Sequence, residues 1–435
     1  MQLAIFGGEP VRREPFPAYR TIGETEKIAV NRVLDSGVLS KYLGCWHDDF
    51  FGGPEVRALE AEWAMYFGCK HVISVNSATS GLIAAIGAAG VEPGDEVIVS
   101  PYTMSATAVA ILIWNAVPVF ADIEPEYFCL DPASVETCIT PRTRAILVVS
   151  LFGQPYDASA INAIAVRYGL TVIEDASQAP GARLGDKYAG TLGTMGIFSL
   201  NYHKHIHCGE GGIVVTDDDR LAERLQLIRN HAEAVVESKG VTDLTNMLGF
   251  NFRLPEMESA LARCQLIKLA GLVEERQGNV AWLAEQLSAI PALRPGRERP
   301  GAEHAWYVHP LRFNAEVASV PRNDFIAAVR AELPVCSGRE SDGPLIFCGY
   351  VQPLYFQPLY QQRICYGRGG FPFVNPWTNE PRSYFKGMCP ITERLHEHEL
   401  FFHELMRSGM GRRDLEDVVA AFYKVWELRD RLRLV

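Results

Sequence analysis

Three short segments of the sequence carry residues whose types and spacing could perform chemistry. In SVNSATSGLIAAIGAAG an apolar run ends at Ser77, Ala78 and Thr79, where the pattern predicts the start of a helix. Backbone N–H groups at a helix N-terminus, with hydroxyls beside them, can bind a phosphate. Helix capping alone would favour the same residue types. This segment therefore leaves a phosphate site and a simple cap as open alternatives.

The other two segments supply a carboxylate and an amine. Asp175 in VIEDASQA follows an apolar strand, at the edge where open α/β sheets bind ligands. It could bind a metal, orient a base, hold a protonated ring nitrogen or cap a helix. Lys204 in FSLNYHKHIHCGEGG precedes a glycine-rich turn. A lysine amine forms Schiff bases with carbonyl compounds, pyridoxal 5'-phosphate (PLP) among them, although a loop lysine is ordinarily just solvated.

The histidines around this lysine offer a different chemistry. His203, His205 and His207 alternate along the chain, so an extended backbone would place them on one face, where such pairs can bind a catalytic metal. A metal-dependent hydrolase is therefore an alternative hypothesis, weakened because no supporting set of carboxylates and histidines is evident. Polar lining of a pocket explains the same residues without a metal, and we predict no metal site.

Taken together, the three segments resemble the DegT/DnrJ/EryC1/StrS family of PLP-dependent sugar aminotransferases. The resemblance is collinear from about Ser36 to His309, through GDEVIV, SPYTMSATA, VPVFADIEPE, ITPRTRAIL, LFGQP, VIEDASQA, GIFSL, GEGGIVVT and GFNFRLPEMESA. It implies an aminotransferase of PLP-dependent fold type I. It also implies an amino-acid donor, glutamate or glutamine, and a keto-sugar or keto-cyclitol acceptor.

The resemblance assigns roles to individual residues. Lys204 falls on the lysine that holds PLP as a Schiff base, Asp175 on the aspartate that pairs with the pyridine nitrogen, and Gln178 on a side chain beside the ring hydroxyl. Asn201 stands where many members have histidine or another polar residue. Asn251, in GFNFR, matches an asparagine that reaches the phosphate from the neighbouring subunit, which implies a homodimer with shared active sites.

The resemblance also places the phosphate and shows where this chain departs from the family. Ala78 and Thr79, next to Ser77, match the pair that binds the cofactor phosphate, and Ser199 matches a further phosphate hydroxyl. Met104 stands where the family usually stacks an aromatic residue on the ring, so either its sulfur packs there or Tyr102 takes over. The C-terminal third departs most from common members, which leaves the acceptor open.

Two non-transaminating alternatives remain within the same fold. Sugar dehydratases of this family replace the lysine by histidine, and histidines flank Lys204 here. Retention of the lysine favours transamination. A regulatory protein that merely keeps the fold is disfavoured by the intact set Asp175, Gln178, Ser199 and Lys204.

The elements that must position these residues form an α/β pattern. Seven short β-branched runs alternate with helical patterns: HVISVNS, EVIVSP, VPVFADI, RAILVVSLFG, LTVIEDAS, GIFSL and GGIVVTD. They predict a seven-stranded, mostly parallel sheet covered by helices. After the sheet, RLAERLQLIRNHAEA predicts a helical stretch, a long helix is predicted to start near Pro255, and a smaller C-terminal α/β domain follows. We predict an N-terminal arm and helix at 1–50, a large PLP-binding domain at 51–265 and a small domain at 266–435. An irregular, aromatic-rich segment at 338–390 is either functional or a packed surface excursion.

Composition excludes several other classes of protein. The net charge is −11 and no run of Lys and Arg occurs, which argues against partners such as nucleic acid or anionic membrane. No stretch reaches the roughly 18 consecutive apolar residues of a membrane span, and no signal-peptide pattern begins the chain. The cysteines form no C-x-x-C pair. The sequence predicts a cytoplasmic enzyme with reduced thiols.

Overall fold

The computed structural model describes residues 2–377 and 382–434. Its strands are β1 (His71–Val75), β2 (Glu96–Val99), β3 (Val117–Phe120), β4 (Thr143–Val149), β5 (Thr171–Asp175), β6 (Arg183–Leu184), β7 (Lys187–Tyr188), β8 (Met195–Ser199), β9 (Gly212–Thr216), β10 (Leu293–Pro295), β11 (Ala302–Glu303), β12 (His309–Phe313), β13 (Ile346–Cys348) and β14 (Leu400–His403).

Helices cover these strands and connect most of them. They are α1 (Glu24–Ser36), α2 (Pro54–Phe67), α3 (Ala78–Ala88), α4 (Ser105–Ile113), α5 (Pro132–Thr137), α6 (Ala158–Tyr168), α7 (Asp219–Arg229), α8 (Ala232–Lys239), α9 (Glu256–Leu287), α10 (Ala315–Ala318), α11 (Arg322–Ala331), α12 (Pro358–Gln362), α13 (Pro390–Arg394) and α14 (Arg412–Leu428).

The largest sheet is the one that the sequence pattern predicts. Within the described residues it has seven strands in the order β1-β9-β8-β5-β4-β2-β3. Only β9 runs against its two neighbours, and the other pairs are parallel. All seven strands coincide with the runs identified from sequence. The predicted fold class, a mostly parallel sheet covered by helices, is confirmed.

Both faces of this sheet are buried, which explains why its strands are almost continuously apolar. Side chains alternate between the faces. Val97, Val99 and Leu147 pack into one core with α3 and α4, whereas Ile98 and Val148 pack into another on the opposite face, against α6. Carboxyl ends of the parallel strands meet at one edge, and the residues that follow them form the site described below.

A second sheet and a third, short one complete the described architecture. The second contains β10, β12, β14 and β13 in that order, all antiparallel, and packs with α11 and α14 around a separate core. The predicted boundary between 265 and 266 falls inside α9, which begins at the predicted position after Pro255. The division of the chain into three ranges remains a prediction.

The aromatic-rich segment at 338–390 is anchored to the large sheet. Leu354 N–H donates to the carbonyl of Pro101, 2.8 Å away, and Tyr384 Oη donates to the carbonyl of Pro118, also at 2.8 Å. At its end, Asp122 accepts from the N–H groups of Ile391 and Thr392 at the start of α13. Residues 378–381 of this segment lie outside the described residues.

Across 2–377 and 382–434, no helix combines the length and apolar character needed to cross a membrane.

Candidate active site

Lys204 lies in a turn after β8, where its N–H donates to the Asn201 carbonyl at 2.9 Å. Its Nζ lies 4.4 Å from the centroid of the Tyr307 ring. Burial of the amine lowers the pKa of Lys204 to about 8, although the carboxylates of Asp175 and Glu404 are near enough to oppose part of this decrease. A buried lysine of lowered pKa is a better nucleophile at neutral pH than a solvated one.

Asp175 ends β5 at the carboxyl edge of the sheet and is 5% exposed. Its Oδ2 accepts a hydrogen bond from Thr107 Oγ1 at 2.9 Å, and its Oδ1 accepts from the N–H of Ser177 at 3.1 Å. These two donors fix the carboxylate in an otherwise apolar setting. A buried carboxylate so held can pair with a protonated nitrogen of a bound ligand.

Gln178 is oriented from both ends of its amide. Its Oε1 accepts from the N–H of Phe152 at 2.8 Å, and its Nε2 donates to Tyr350 Oη at 2.9 Å. The Phe152 backbone adopts a left-handed conformation, with φ of 60°, and this turn follows β4 at the same sheet edge. The amide of Gln178 therefore cannot flip without losing a backbone hydrogen bond.

Ser77, Ala78 and Thr79 form the start of α3, as predicted. Ser77 caps the helix by accepting from the Ser80 N–H at 3.1 Å, which satisfies the capping interpretation. N–H groups in the first turn have no carbonyl partner within a helix, so those of Ala78 and Thr79 are available to an anion. Thr79 is exposed, so its side chain is accessible to a ligand. The structure is therefore compatible with both the phosphate and the capping interpretation.

Gly212 packs between the start of α3 and Ser199. It pairs with Ser199 across β8 and β9, and a Cβ at Gly212 would lie 2.5 Å from the carbonyl carbon of Ser77. No other residue type permits so close an approach. The glycine-rich turn thus brings the Ser199 strand end against the helix N-terminus, and the two sets of predicted phosphate ligands converge.

The remaining predicted residues are Met104, Asn201 and Asn251. Met104 immediately precedes α4 and is 57% exposed, whereas Tyr102 is fully buried with its ring perpendicular to that of Tyr350. Of the two side chains considered for the predicted ring-stacking position, Met104 is therefore the accessible one. Asn201 donates from Nδ2 to Glu210 Oε1 at 2.8 Å. Asn251 is exposed.

The three histidines beside Lys204 are not arranged as metal ligands. Their segment forms turns instead of a strand, and His205 is buried, with Nε2 donating to the Ala305 carbonyl at 2.8 Å. Burial also holds the pKa of His205 well below its usual range. In the part of the chain that the structure describes, no group of three or more His, Cys, Asp or Glu side chains could hold a metal ion.

These residues fit PLP by the chemistry of their groups. The helix N-terminus and the hydroxyls of Ser77 and Ser199 suit a phosphate, the fixed carboxylate of Asp175 suits a protonated ring nitrogen, and the amine of Lys204 suits an aldehyde. The described residues offer no comparable set for a metal.

Sequence reasoning missed several side chains that contribute to this arrangement. Thr107 lies inside the segment SPYTMSATA, in the first turn of α4. A hydroxyl at the start of a helix beside the sheet edge could have been recognised as a candidate partner for Asp175. Tyr307 and Tyr350 come from parts of the chain where no pattern points toward the site. Glu404 follows β14 and is ion-paired with Arg339 at 2.8 Å; nothing in the sequence marks it.

The chain is similar to known proteins over most of its length. These similarities show a PLP-dependent aminotransferase. The sequence profile described as the DegT/DnrJ/EryC1/StrS aminotransferase family matches residues 22–383, and the chain belongs to this family. The predicted family, enzyme class and cofactor are thereby confirmed, whereas the roles of single residues stay predictions.

Individual relatives resemble the chain over most of its length. The L-glutamine:2-deoxy-scyllo-inosose aminotransferase of Micromonospora echinospora is 32% identical and covers 99% of both chains. The spore coat polysaccharide biosynthesis protein SpsC of Bacillus subtilis (strain 168) is 32% identical over 81% of this chain and 86% of its own. The structure of DesI in the presence of its TDP-sugar product matches with a TM-score of 0.80 and 26% identity, covering 99% of each chain.

Attachment of PLP to the cofactor-free protein is expected to depend on pH through Lys204. Only the neutral amine attacks the aldehyde, and burial lowers the pKa of this amine to about 8. The attachment rate should therefore rise with pH through about 8 and level off well below the pH at which a solvated lysine titrates. Stopped-flow absorbance after mixing with PLP measures it, with free N-acetyl-lysine as the reference. A midpoint equal to the reference would contradict the prediction.

Proposed function

We propose that this aminotransferase moves an amino group from glutamine or glutamate to the keto group of a sugar or cyclitol. The observation that carries the proposal is the convergence of Lys204, Asp175 and Gln178 at one sheet edge of a chain whose relatives act on such compounds. One relative is named for 2-deoxy-scyllo-inosose and another was solved with a TDP-sugar product. The acceptor is therefore a polyhydroxylated ketone, carbocyclic or nucleotide-linked.

When bound, PLP supplies an electron-accepting ring that acidifies the α-hydrogen of the donor amino acid. Asp175 would keep the ring nitrogen protonated, which this chemistry requires, because its fixed and buried carboxylate favours a cation beside it. Gln178 would orient the ring from the side of its hydroxyl. The α3 N-terminus, with Ser77, Thr79 and Ser199, would hold the phosphate.

Lys204 would have two tasks. Its Nζ would hold the cofactor covalently, and once released it would move a proton to and from the reacting carbon. Burial suits both tasks, since a pKa of about 8 leaves a useful fraction of the amine neutral near pH 7. The ring of Tyr307, 4.4 Å away, shields the amine from water while tolerating its charged form.

The test of this proposal is an acceptor screen. Enzyme first aminated with L-glutamine or L-glutamate is mixed with 2-deoxy-scyllo-inosose and with TDP-linked keto-sugars, and amine formation is followed by mass spectrometry. The proposal expects stoichiometric amination of at least one of these ketones. If the aminated enzyme instead reacts only with simple α-keto acids, the proposed acceptor class is wrong.

We also propose a cytoplasmic homodimer with shared active sites. All ten cysteines are free, as is usual in a reducing compartment. Two exposed apolar side chains, Leu39 and Leu43, lie near Asn251. The Leu39 carbonyl accepts from the Glu256 N–H, and the Leu43 carbonyl accepts from Asn230 Nδ2. Asn230 in turn forms a β-bridge with Asn251. Such a patch suits a subunit interface.

If Asn251 serves the partner's phosphate site, two inactive variants should rescue each other. In a heterodimer of Lys204→Ala and Asn251→Ala subunits, one site carries both defects and the other carries neither. Mixing the variants under conditions of subunit exchange should restore activity at one of the two heterodimer sites. Activity and native mass are measured together. Proven exchange without rescue, or an active monomer, would assign Asn251 to its own chain.

A further inference from the structure

Tyr350 brings the aromatic-rich segment into the candidate active site. Gln178 uses its Oε1 to accept from Phe152, so its Nε2 must be the donor to Tyr350 Oη. The phenol oxygen accepts this bond and keeps its own proton. The hydrogen bond from Gln178 leaves this proton available to a further acceptor. Tyr350 therefore presents a hydroxyl donor beside the group that orients the cofactor.

Surrounding rings hold the phenol in place. The ring of Tyr350 packs edge-on against Tyr102, Phe152 and Phe402, at centroid distances of 5.8, 5.1 and 5.7 Å. The chain on either side is fixed as well, because the Gly349 N–H donates to the Leu400 carbonyl at 2.7 Å and the Leu354 N–H donates to the Pro101 carbonyl at 2.8 Å. A hydroxyl on so constrained a ring has a defined position.

Charge and burial keep this hydroxyl a donor. Burial raises the pKa of the Tyr350 phenol, and the nearby Asp175 and Glu404 carboxylates act in the same direction. The phenol is thus neutral throughout the physiological pH range. Tyr350 is partly exposed and lines an open cavity of about 520 Å³ together with Phe347 and Phe402, so its ring is accessible beside two apolar rings. Ring faces and a single hydroxyl suit the C–H faces and hydroxyls of a polyol.

We propose that Tyr350 is a specificity-determining residue that donates a hydrogen bond to a hydroxyl of the keto acceptor. This inference rests on the proposed function, since it presupposes a polyhydroxylated ketone. It assigns Tyr350 to the second half of the reaction, in which the polyhydroxylated ketone is bound, and a comparison of the two half-reactions tests this assignment. A site that hydrogen-bonds a substrate hydroxyl discriminates strongly against analogues that lack it.

The test compares the two half-reactions in Tyr350→Phe, which keeps the ring and removes only the hydroxyl. Cofactor absorbance and the rate of amination by L-glutamine should change less than about twofold. For the acceptor that the wild type prefers, 2-deoxy-scyllo-inosose or a TDP-linked keto-sugar, kcat/KM should fall about tenfold, the effect of one lost hydrogen bond. The preference over a deoxy analogue of that acceptor should shrink by a similar factor.

Tyr384→Phe is the matched control. It removes a phenol from the same segment, where the hydroxyl donates to Pro118 instead of facing Gln178, and it should leave both half-reactions unchanged. Equal losses in the two half-reactions of Tyr350→Phe, or no loss at all, would overturn the inference while leaving the proposed function intact. A wild-type enzyme that aminates none of the ketones would overturn the proposed function itself.

Discussion

Replacement of Lys204 by alanine is expected to reduce transamination at least a thousandfold. The variant loses the covalent attachment of PLP and the group that moves the proton, and proton transfer by a positioned side chain alone contributes about 10²–10⁴-fold. PLP should still bind, since the helix N-terminus and Asp175 remain, but without the absorbance of the lysine-bound form. The measurements are kcat for the overall reaction and the cofactor spectrum.

Lys187→Ala is the control for this variant. Lys187 is exposed on the short strand β7, and its loss should leave both the spectrum and kcat unchanged. Added methylamine should partly restore the proton transfer in Lys204→Ala, because a small amine can occupy the space of the lost side chain. Activity near that of the wild type in Lys204→Ala would exclude this residue from the chemistry.

Asp175→Asn is expected to bind PLP yet lose activity on the order of a hundredfold or more. An amide cannot hold the ring nitrogen protonated as a carboxylate does, and the loss of one preorganised electrostatic contact costs about 10²–10³-fold in rate. The amide oxygen can still accept from the Ser177 N–H, and the Thr107 hydroxyl can turn to accept from the amide nitrogen, so the local structure should survive. Turnover and bound PLP are measured on the same preparation.

The neighbouring carboxyl group provides the control. Glu174 lies on the same strand, is fully buried, and accepts from Ser150 Oγ at 2.8 Å and Leu192 N–H at 3.2 Å. Burial raises its pKa to about 7, so a neutral amide is a mild change, and the Ser150 hydroxyl can reverse to accept from it. Glu174→Gln should retain most activity. Equal losses in both variants would make Asp175 a structural residue.

The fold could be predicted because its strands are buried on both faces and therefore stand out as apolar runs. All seven strands of the large sheet follow from this pattern, and α9 follows from the proline at its start. Local polar contacts limit such predictions. A single helical stretch was expected through Asn230, but α7 and α8 are separate there, because His231 adopts a φ of 52° and Asn230 bonds to the Leu43 and Phe50 carbonyls.

Some residues of the candidate site could likewise be predicted from the sequence, and others could not. Asp175 ends β5, and Gln178 and Lys204 follow β5 and β8 within five residues, so their convergence follows from topology. Tyr350 and Glu404 reach the site only through the packing of the second sheet and of the aromatic-rich segment against the first. Their positions depend on contacts between residues far apart in sequence, such as Gln178 with Tyr350, which periodicity does not encode.

The central claim is that Lys204 holds PLP for transamination, and borohydride reduction followed by peptide mapping tests it most directly. The purified holoenzyme should lose its near-visible absorbance on reduction, and the cofactor mass should appear on the peptide that contains Lys204. Prior incubation with L-glutamine or L-glutamate should prevent this labelling, because the donor displaces the lysine. Labelling of any other lysine, or none in fully reconstituted protein, would contradict the account.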